Sequence, residues 1–329
     1  MIIQRLTLLF CSLWLVACNT DNPAEGGSIF KDVLPESNGG RMDLIVVAKE
    51  SLWQSVAGDM FRKDFSSPQP ALPQPEPEFT VRQIEPDQFN SLLQRSRNIV
   101  ILEKGDFTYT IQENFWARPQ LVVTLAAEDE NELAKLIQSK GPEVFKKLKD
   151  QEINALQERL GKAVHKNLPI LETHHVSMAI PTSFEVEIKQ DNLMVLWNKT
   201  IKTDQGIIVY FKPMDPEMGA LGMDIIPMRD SLTQLYVQSE REGAYMVTED
   251  LVTPTIENTE IDGSFAIETR GLWRTKNDFK GGPFINYTVY DEKHNQVIFL
   301  DGFVFSPETK KRNFVLEMES ILKTLEILD

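Results

Sequence analysis

The chain predicts an α+β fold built from two mixed α/β sandwich-like halves, the second an antiparallel sheet with a C-terminal helix packed on it. Three observations carry this expectation. In the first half, short apolar runs of strand length alternate with segments of helical period. In the second, strand-like runs follow one another with little helix between them. An amphipathic segment then closes the chain. With 42% hydrophobic and 25% charged residues over 329 positions, the composition is that of a soluble globular body. No stretch after the N-terminal segment is apolar enough to span a bilayer.

That N-terminal segment has its own logic. Arg5 precedes an apolar run, Leu6 to Val16, which ends in Leu15-Val16-Ala17-Cys18. A charged start, an apolar stretch too short to span a bilayer and a small-residue junction make a secretory signal. The junction resembles the lipobox of bacterial lipoproteins, which implies cleavage before Cys18 and acylation of its thiol with a palmitate-type lipid. The alternatives are a secretory signal that happens to contain a cysteine, or a short buried helix. Residues 1–17 are thus read as signal peptide and 18–41 as a flexible tether rich in Asn, Asp, Pro, Gly and Ser. Ile29, Phe30, Val33 and Leu34 could dock from it. A coil of about twenty residues reaches on the order of 25 Å, so the body would stand close to its membrane. The expected place is the cell envelope, on the outer membrane in preference to the inner, facing the periplasm or the cell surface.

The bulk numbers exclude several classes. The net charge of −15, from 34 basic and 49 acidic residues, makes nucleic acid a poor partner and opposes a body lying flat on anionic lipid. Of the two cysteines, Cys11 lies in the signal and Cys18 would carry lipid. A mature fold without thiols excludes disulfides, a cysteine nucleophile and thiolate zinc sites.

In the first half, residues 42–166, Met42 to Ala48 reads as a buried strand, followed by a helix with Leu52, Val56, Met60 and Phe61 on one side. Ser66 to Pro77 carries five prolines and reads as an extended surface connector. Phe79 to Ile84, Ile99 to Leu102, Phe107 to Ile111 and Leu121 to Ala126 read as strands, and Asp87 to Arg95 as a short helix. Asp129 to Leu160 is helical, with Gly141-Pro142 expected to open a second helix and Gly161 as C-cap. In the second half, residues 167–329, strands are expected at His174 to Ile180, Asn192 to Trp197, Ile207 to Lys212, Ser264 to Trp273, Phe284 to Tyr290 and Val297 to Phe305. Asp291 to Asn295 is a hairpin turn, Pro227 to Gln238 a helix, and Met246 to Asp262 irregular. Glu308 to Leu328 is the closing helix, with Phe314, Met318, Ile321, Leu325 and Leu328 on one stripe.

Several stretches look familiar: Leu52-Trp53, Leu72-Pro73-Gln74-Pro75-Glu76-Pro77, Ser96-Arg97-Asn98-Ile99, Arg118-Pro119-Gln120, Gly271-Leu272-Trp273, Gly281-Gly282-Pro283-Phe284 and Leu300-Asp301-Gly302-Phe303-Val304. In these the chain resembles a domain-of-unknown-function family (family number 4837) of lipoproteins from Bacteroidetes. The resemblance implies an envelope lipoprotein and no particular activity. The second half also resembles the photosystem-accessory and Mog1-like sandwich, with Ile180 to Phe184 matching its start; that is fold-level analogy.

Candidate chemistry is sparse. His174 and His175, in one strand, would face opposite ways and could not share a metal, and no metal or other cofactor is expected. Gly281-Gly282-Pro283 reads as a turn. The sharpest feature is Asp301 inside an apolar strand. A buried unpaired carboxylate is costly, so Asp301 should be paired, with Arg270 and Arg274 as natural partners on a neighbouring strand, or should sit in an Asp301-Gly302 bulge. Asp301 is the one candidate catalytic residue, and Arg270, Trp273, Arg274 and Tyr287 are candidate binding residues. Lys310-Lys311-Arg312 place positive charge near the start of a helix, where the dipole opposes it; a solvated face is expected there. The functional expectation is a membrane-anchored module that binds or scaffolds an envelope protein or polymer without catalysing. Its rivals are a carboxylate-dependent envelope hydrolase and a carrier of a hydrophobic ligand.

Overall fold

The computed structural model describes residues 34–161, 163–214 and 224–329. The signal, Cys18 and the tether as far as Val33 lie outside the described residues. Residues 34–329 form one compact unit.

Its N-terminal sheet is five-stranded, in the order β2-β1-β3-β5-β4, with β1 (Asp43–Val47), β2 (Thr80–Ile84), β3 (Asn98–Lys104) and β5 (Leu121–Ala127) parallel and β4 (Thr108–Glu113) antiparallel at the edge. Alternate residues divide its two faces. Leu44, Val46, Val100, Leu102, Val123 and Leu125 pack under helices, while Ile45, Val47, Ile99 and Val122 form a smaller cluster with Phe89 and Trp116. The covering helices are α1 (Glu50–Trp53), α2 (Val56–Phe65), capped by the Ser55 hydroxyl, and α3 (Glu130–Leu160), capped by the Asp129 carboxylate.

Helix α3 corrects one expectation: Pro142 does not open a second helix but lies inside a continuous one of 31 residues. Gly141 is buried beside Asp64 and Phe65 of α2, so packing between the two helices holds the turn that proline weakens. The expected helix at 87–95 is reduced to two single 3-10 turns, Pro86–Gln88 and Leu93–Arg95.

The C-terminal sheet is antiparallel and eight-stranded. Its order is β10-β12-β13-β14-β9-β8-β7, with β11 also paired to β12. The members are β7 (Glu185–Lys189), β8 (Leu193–Lys199), β9 (Asp204–Pro213), β10 (Tyr245–Thr248), β11 (Thr255–Ile261), β12 (Ser264–Lys276), β13 (Gly281–Asp291) and β14 (Gln296–Phe305). Both its faces are covered, by α5 (Ile225–Tyr236) on one and α6 (Arg312–Leu322) on the other. This is why β14 is buried at nearly every position instead of alternating.

Met246 to Asp262 is not irregular: it holds β10 and β11, both paired to the long β12. His174 and His175 are not in a strand. Pro169 starts the short helix α4 (Pro169–Thr173), His175 has a positive φ, and only β6 (Val176–Ser177) follows, paired with β15 (Glu326–Ile327). His174 stacks on Phe211, and His175 on His294. The closing helix is shorter than expected at both ends, Arg312–Leu322, with a turn at residues 307–309 before it and β15 after it. Met318, Ile321 and Leu325 are buried as the stripe requires, whereas Leu328 is exposed.

Helix α6 also joins the two sheets. Met318, Ile321 and Leu322 face the C-terminal sheet, while Leu316 enters the N-terminal core. Of the three basic residues expected on a solvated face at its start, Lys310 is exposed, but Lys311 and Arg312 are buried, contrary to expectation. Glu76 of the proline-rich loop, itself buried, accepts hydrogen bonds from the Lys311 and Arg312 amides at 2.6 and 3.3 Å. The Arg312 guanidinium donates to Pro77 O, Thr80 Oγ1 and Arg41 O. A carboxylate at the amide end of the helix offsets the dipole penalty of Lys311 and Arg312.

Candidate functional site

The α5 face of the large sheet is paved by aromatic rings lying on glycines. A Cβ on Gly206 would stand 2.1 Å from the Phe303 ring, and one on Gly271 2.5 Å from Phe284. A Cβ on Gly282 would meet Val304 O at 2.0 Å, with Trp273 Nε1 3.3 Å away. Gly281-Gly282-Pro283 is therefore part of strand β13, not a turn, and glycine is needed there for close approach. The motifs around residues 271–273 and 281–284 interlock, Phe284 covering Gly271 and Trp273 lying against Gly282, while Phe303 of the 300–304 motif covers Gly206 of β9.

Asp301 lies on this face. It is fully buried, in regular register opposite Asn286 of β13 and Ile208 of β9, so there is no bulge at Asp301-Gly302. Its partner is neither Arg270 nor Arg274. The Arg229 side chain, from α5, donates through Nε to Asp301 Oδ1 at 2.9 Å and sits 3.7 Å above the Phe284 ring centre. Strand parity explains the difference: Arg270 is opposite Ile285, on the other face, and Arg274 reaches outward to Glu249 and Asp250 at 3.7 and 3.9 Å. Arg229 also donates to Thr248 Oγ1, and Asn286 Nδ2 reaches Asp301 Oδ1 at 3.4 Å. Among the described residues, Asp301 Oδ2 has no hydrogen-bond partner. Burial pushes the Asp301 carboxyl above the usual carboxylate range, against the opposing pull of Arg229.

Across the sheet, under α6, lies a second charged group that sequence reasoning reached only in part. Arg270 and Tyr287 come together here with Glu268 and with Glu319 of α6. Arg270 Nε bonds Glu268, its Nη2 lies 2.7 Å from Glu319 Oε2, and Tyr287 Oη donates to Glu268 Oε2 at 2.6 Å. Lys323 and Lys149 stand 3.0 and 3.3 Å from Glu319 Oε1. Burial alone would raise the Glu319 carboxyl, but Arg270, Lys149 and Lys323 hold it well below the ordinary range. Burial and Glu319 would raise the Glu268 carboxyl, but Arg270 and Lys149 together bring it below its ordinary range. Burial, with both carboxylates adjacent, pushes the Tyr287 phenol well up. Glu268, Glu319, Lys149 and Lys323 of this group line a cleft of about 830 Å³ bounded by α3, β11 and α6. Glu319 was missed because its signal, an acid on a helix stripe, looks like any solvated glutamate.

The remaining candidate, Trp273, lies on the α5 face. With Trp197, Phe303 and Phe305 it lines a cavity of about 60 Å³ at the end of the sheet, edged by Asp204 and Lys280. The sheet's thickness thus separates Trp273 from Arg270 and Tyr287. Among the described residues no group of three or more His, Cys, Asp or Glu side chains is arranged to hold a metal ion, and no helix is long and apolar enough to cross a membrane.

Comparison with known proteins agrees with the motifs. Residues 163–324 match Domain of unknown function (DUF4837), and residues 37–161 match Domain of unknown function (DUF8532). The motifs of the C-terminal half fall within the first match and those of the N-terminal half within the second. No curated protein matches significantly. Among solved structures, cyanobacterial PsbP from Synechocystis sp. PCC 6803 is 8% identical with a TM-score of 0.33, over 50% of this chain and 90% of that one. The Saccharomyces cerevisiae Ran-binding protein Mog1p is 10% identical with a TM-score of 0.31, over 47% and 91%. A Bacteroides thetaiotaomicron VPI-5482 protein is 14% identical with a TM-score of 0.22, over 47% and 46%. These are likenesses of the mixed α+β fold.

Proposed function

We propose that this chain is a lipid-anchored protein of the cell envelope whose body is a non-catalytic binding or scaffolding module. The observation that carries the non-catalytic reading is the state of its candidate acid. Asp301 is fully buried beneath α5 and held by Arg229, where no polymer can reach it. Glu268 and Glu319, which do border a cleft, are held ionised by Arg270, Lys149 and Lys323. A hydrolytic pair needs one carboxyl poised to give up a proton near neutral pH, and these two are pushed the opposite way. The carrier reading is disfavoured by the packing between sheet and α6, where a Cβ on Gly302 would already lie 3.0 Å from Met318.

The anchoring reading rests on Arg5, the apolar run and the Ala17-Cys18 junction. Cys18→Ser is expected to leave unprocessed precursor that takes up no labelled fatty acid and leaves the membrane fraction. Normal processing and labelling in that variant would overturn the anchor. For the body, the wild type is screened against peptidoglycan and glycans. Turnover that disappears in an Asp301→Asn variant of undiminished stability would overturn the non-catalytic reading. Affinity capture from envelope extracts then identifies the bound protein or polymer.

A further inference from the structure

Two hairpins end at the same edge of the large sheet. Strands β8 and β9 are joined by residues 200–203, and β12 and β13 by residues 277–280. The register places both turns beside the end of β14, since Phe305 is opposite Asp204 and Arg274 is opposite Gly281. Three strand spacings separate the two hairpins, about 14 Å. Each tip holds one large apolar side chain in full view of solvent: Ile201 in the first and Phe279 in the second.

These side chains are not loose. Thr200 Oγ1 accepts from the Lys202 and Thr203 amides, which fixes the first turn. In the second, Asn277 has a positive φ and donates to Gly243 O, while Asp278 accepts from Ser239 and the Phe279 amide. The backbone of each tip is therefore built to hold an apolar group outward. A lysine follows each, Lys202 and Lys280, and Lys276 is exposed at the base of the second. The acid of that tip, Asp278, is turned back into the turn by its own hydrogen bonds. Convex apolar points beside lysines suit a layer with a polar, phosphate-bearing surface and an apolar interior; a protein groove would have to supply two pits at this spacing.

Resting on the anchoring reading above, we propose that Ile201 and Phe279 are a bilayer-contact surface. They enter the headgroup region of the phospholipid membrane that holds the chain, with Lys202, Lys276 and Lys280 at the phosphates. The strongly acidic remainder of the body is repelled by the same surface, which orients the contact.

The test uses full-length lipidated protein in vesicles of phosphatidylethanolamine and phosphatidylglycerol, with tryptophan placed singly as Ile201→Trp, Phe279→Trp and, as control, Leu251→Trp. Leu251 is also an exposed apolar side chain, but it lies past the end of β10 and away from this edge. Relative to the wild type, whose own tryptophans set the background, the added emission of positions 201 and 279 is expected to shift to the blue and to lose intensity when brominated lipid is included, while that of position 251 stays unchanged. Equal response at all three positions, or none at 201 and 279 in anchored protein, overturns the proposal. If fatty-acid labelling shows no anchor, that reading falls separately, and the same emission measured after adding vesicles to the unlipidated protein still decides the tips.

Discussion

The large sheet carries a buried arginine on each face, and the two have opposite consequences for the acids beside them. Under α5, Arg229 meets one carboxylate, Asp301, whose second oxygen has no hydrogen-bond partner among the described residues, and burial wins: the carboxyl is pushed up. Under α6, Arg270 is shared by Glu268 and Glu319, but Lys149 and Lys323 add positive charge from the rim, and both carboxyls are pulled down. One cation does not offset full desolvation of an acid, whereas three around two acids do. A buried ion pair therefore says little about protonation until its neighbours are counted.

The largest expected effect tests the sealed pair. Arg229→Ala leaves Asp301 buried with only the long contact from Asn286 and no counter-charge, and should cost about 3–5 kcal/mol in denaturant melts. Asp301→Asn, which keeps a group able to bond, should cost clearly less than Asp301→Ala. Equal costs for the two Asp301 variants would remove the special standing of the pair. On the opposite face, Ile321→Ala should cost about 2–5 kcal/mol, since Ile321 is fully buried between α6 and the sheet. A loss below about 0.5 kcal/mol would mean that the side chain gains nothing from this packing.

The shared network should be more tolerant. Glu319→Gln leaves Arg270 with Glu268 and is expected to cost about 1.5–3 kcal/mol at neutral pH. Its signature is in the pH dependence. The lowered carboxyls of Glu319 and Glu268 contribute stability above the ordinary carboxylate pKa that is lost as pH falls through their folded values. Asp301 acts in the opposite sense. Its raised carboxyl contributes stability below the ordinary value, lost as pH rises through the folded one. Glu319→Gln should thus flatten the acid limb of the stability curve, and Asp301→Asn should steepen it. The smallest effects separate the two packings. Gly206→Ala forces Phe303 off its seat and should cost about 1–3 kcal/mol, whereas at Gly302 the nearest atoms, on Met318 and Leu322, stand 3.0 and 3.3 Å away and must give only slightly, so Gly302→Ala should cost about 1 kcal/mol or less.

The strand pattern was largely legible, because long apolar runs such as Leu193–Lys199 and Gln296–Phe305 can only be buried. The hairpin between β11 and β12 was legible too but passed over: Asp262-Gly263, both with positive φ, is the two-residue turn that such strands favour. Asp301 was identifiable as an acid in need of a partner, but not the partner. Arg229 is 72 positions away on a helix over the opposite face from Arg270, and only strand parity decides between them. Recurrent glycines and aromatics were visible as motifs, but which ring covers which glycine depends on register. The tips at Ile201 and Phe279 gave no signal at all, because a single apolar residue in a turn is common on any surface.

The bond from Glu76 to the Lys311 and Arg312 amides spans 235 and 236 positions of chain. During synthesis the proline-rich loop and the N-terminal core emerge long before the helix whose end that carboxylate caps. Until then Glu76 lacks its amide partners, and the surface that receives Leu316 stands open. Closure of such a distant contact carries loop entropy that local contacts do not, so this seam is sealed only once the last helix is in place. Were the chain exported as proposed, a holding chaperone would have a defined surface to occupy until then.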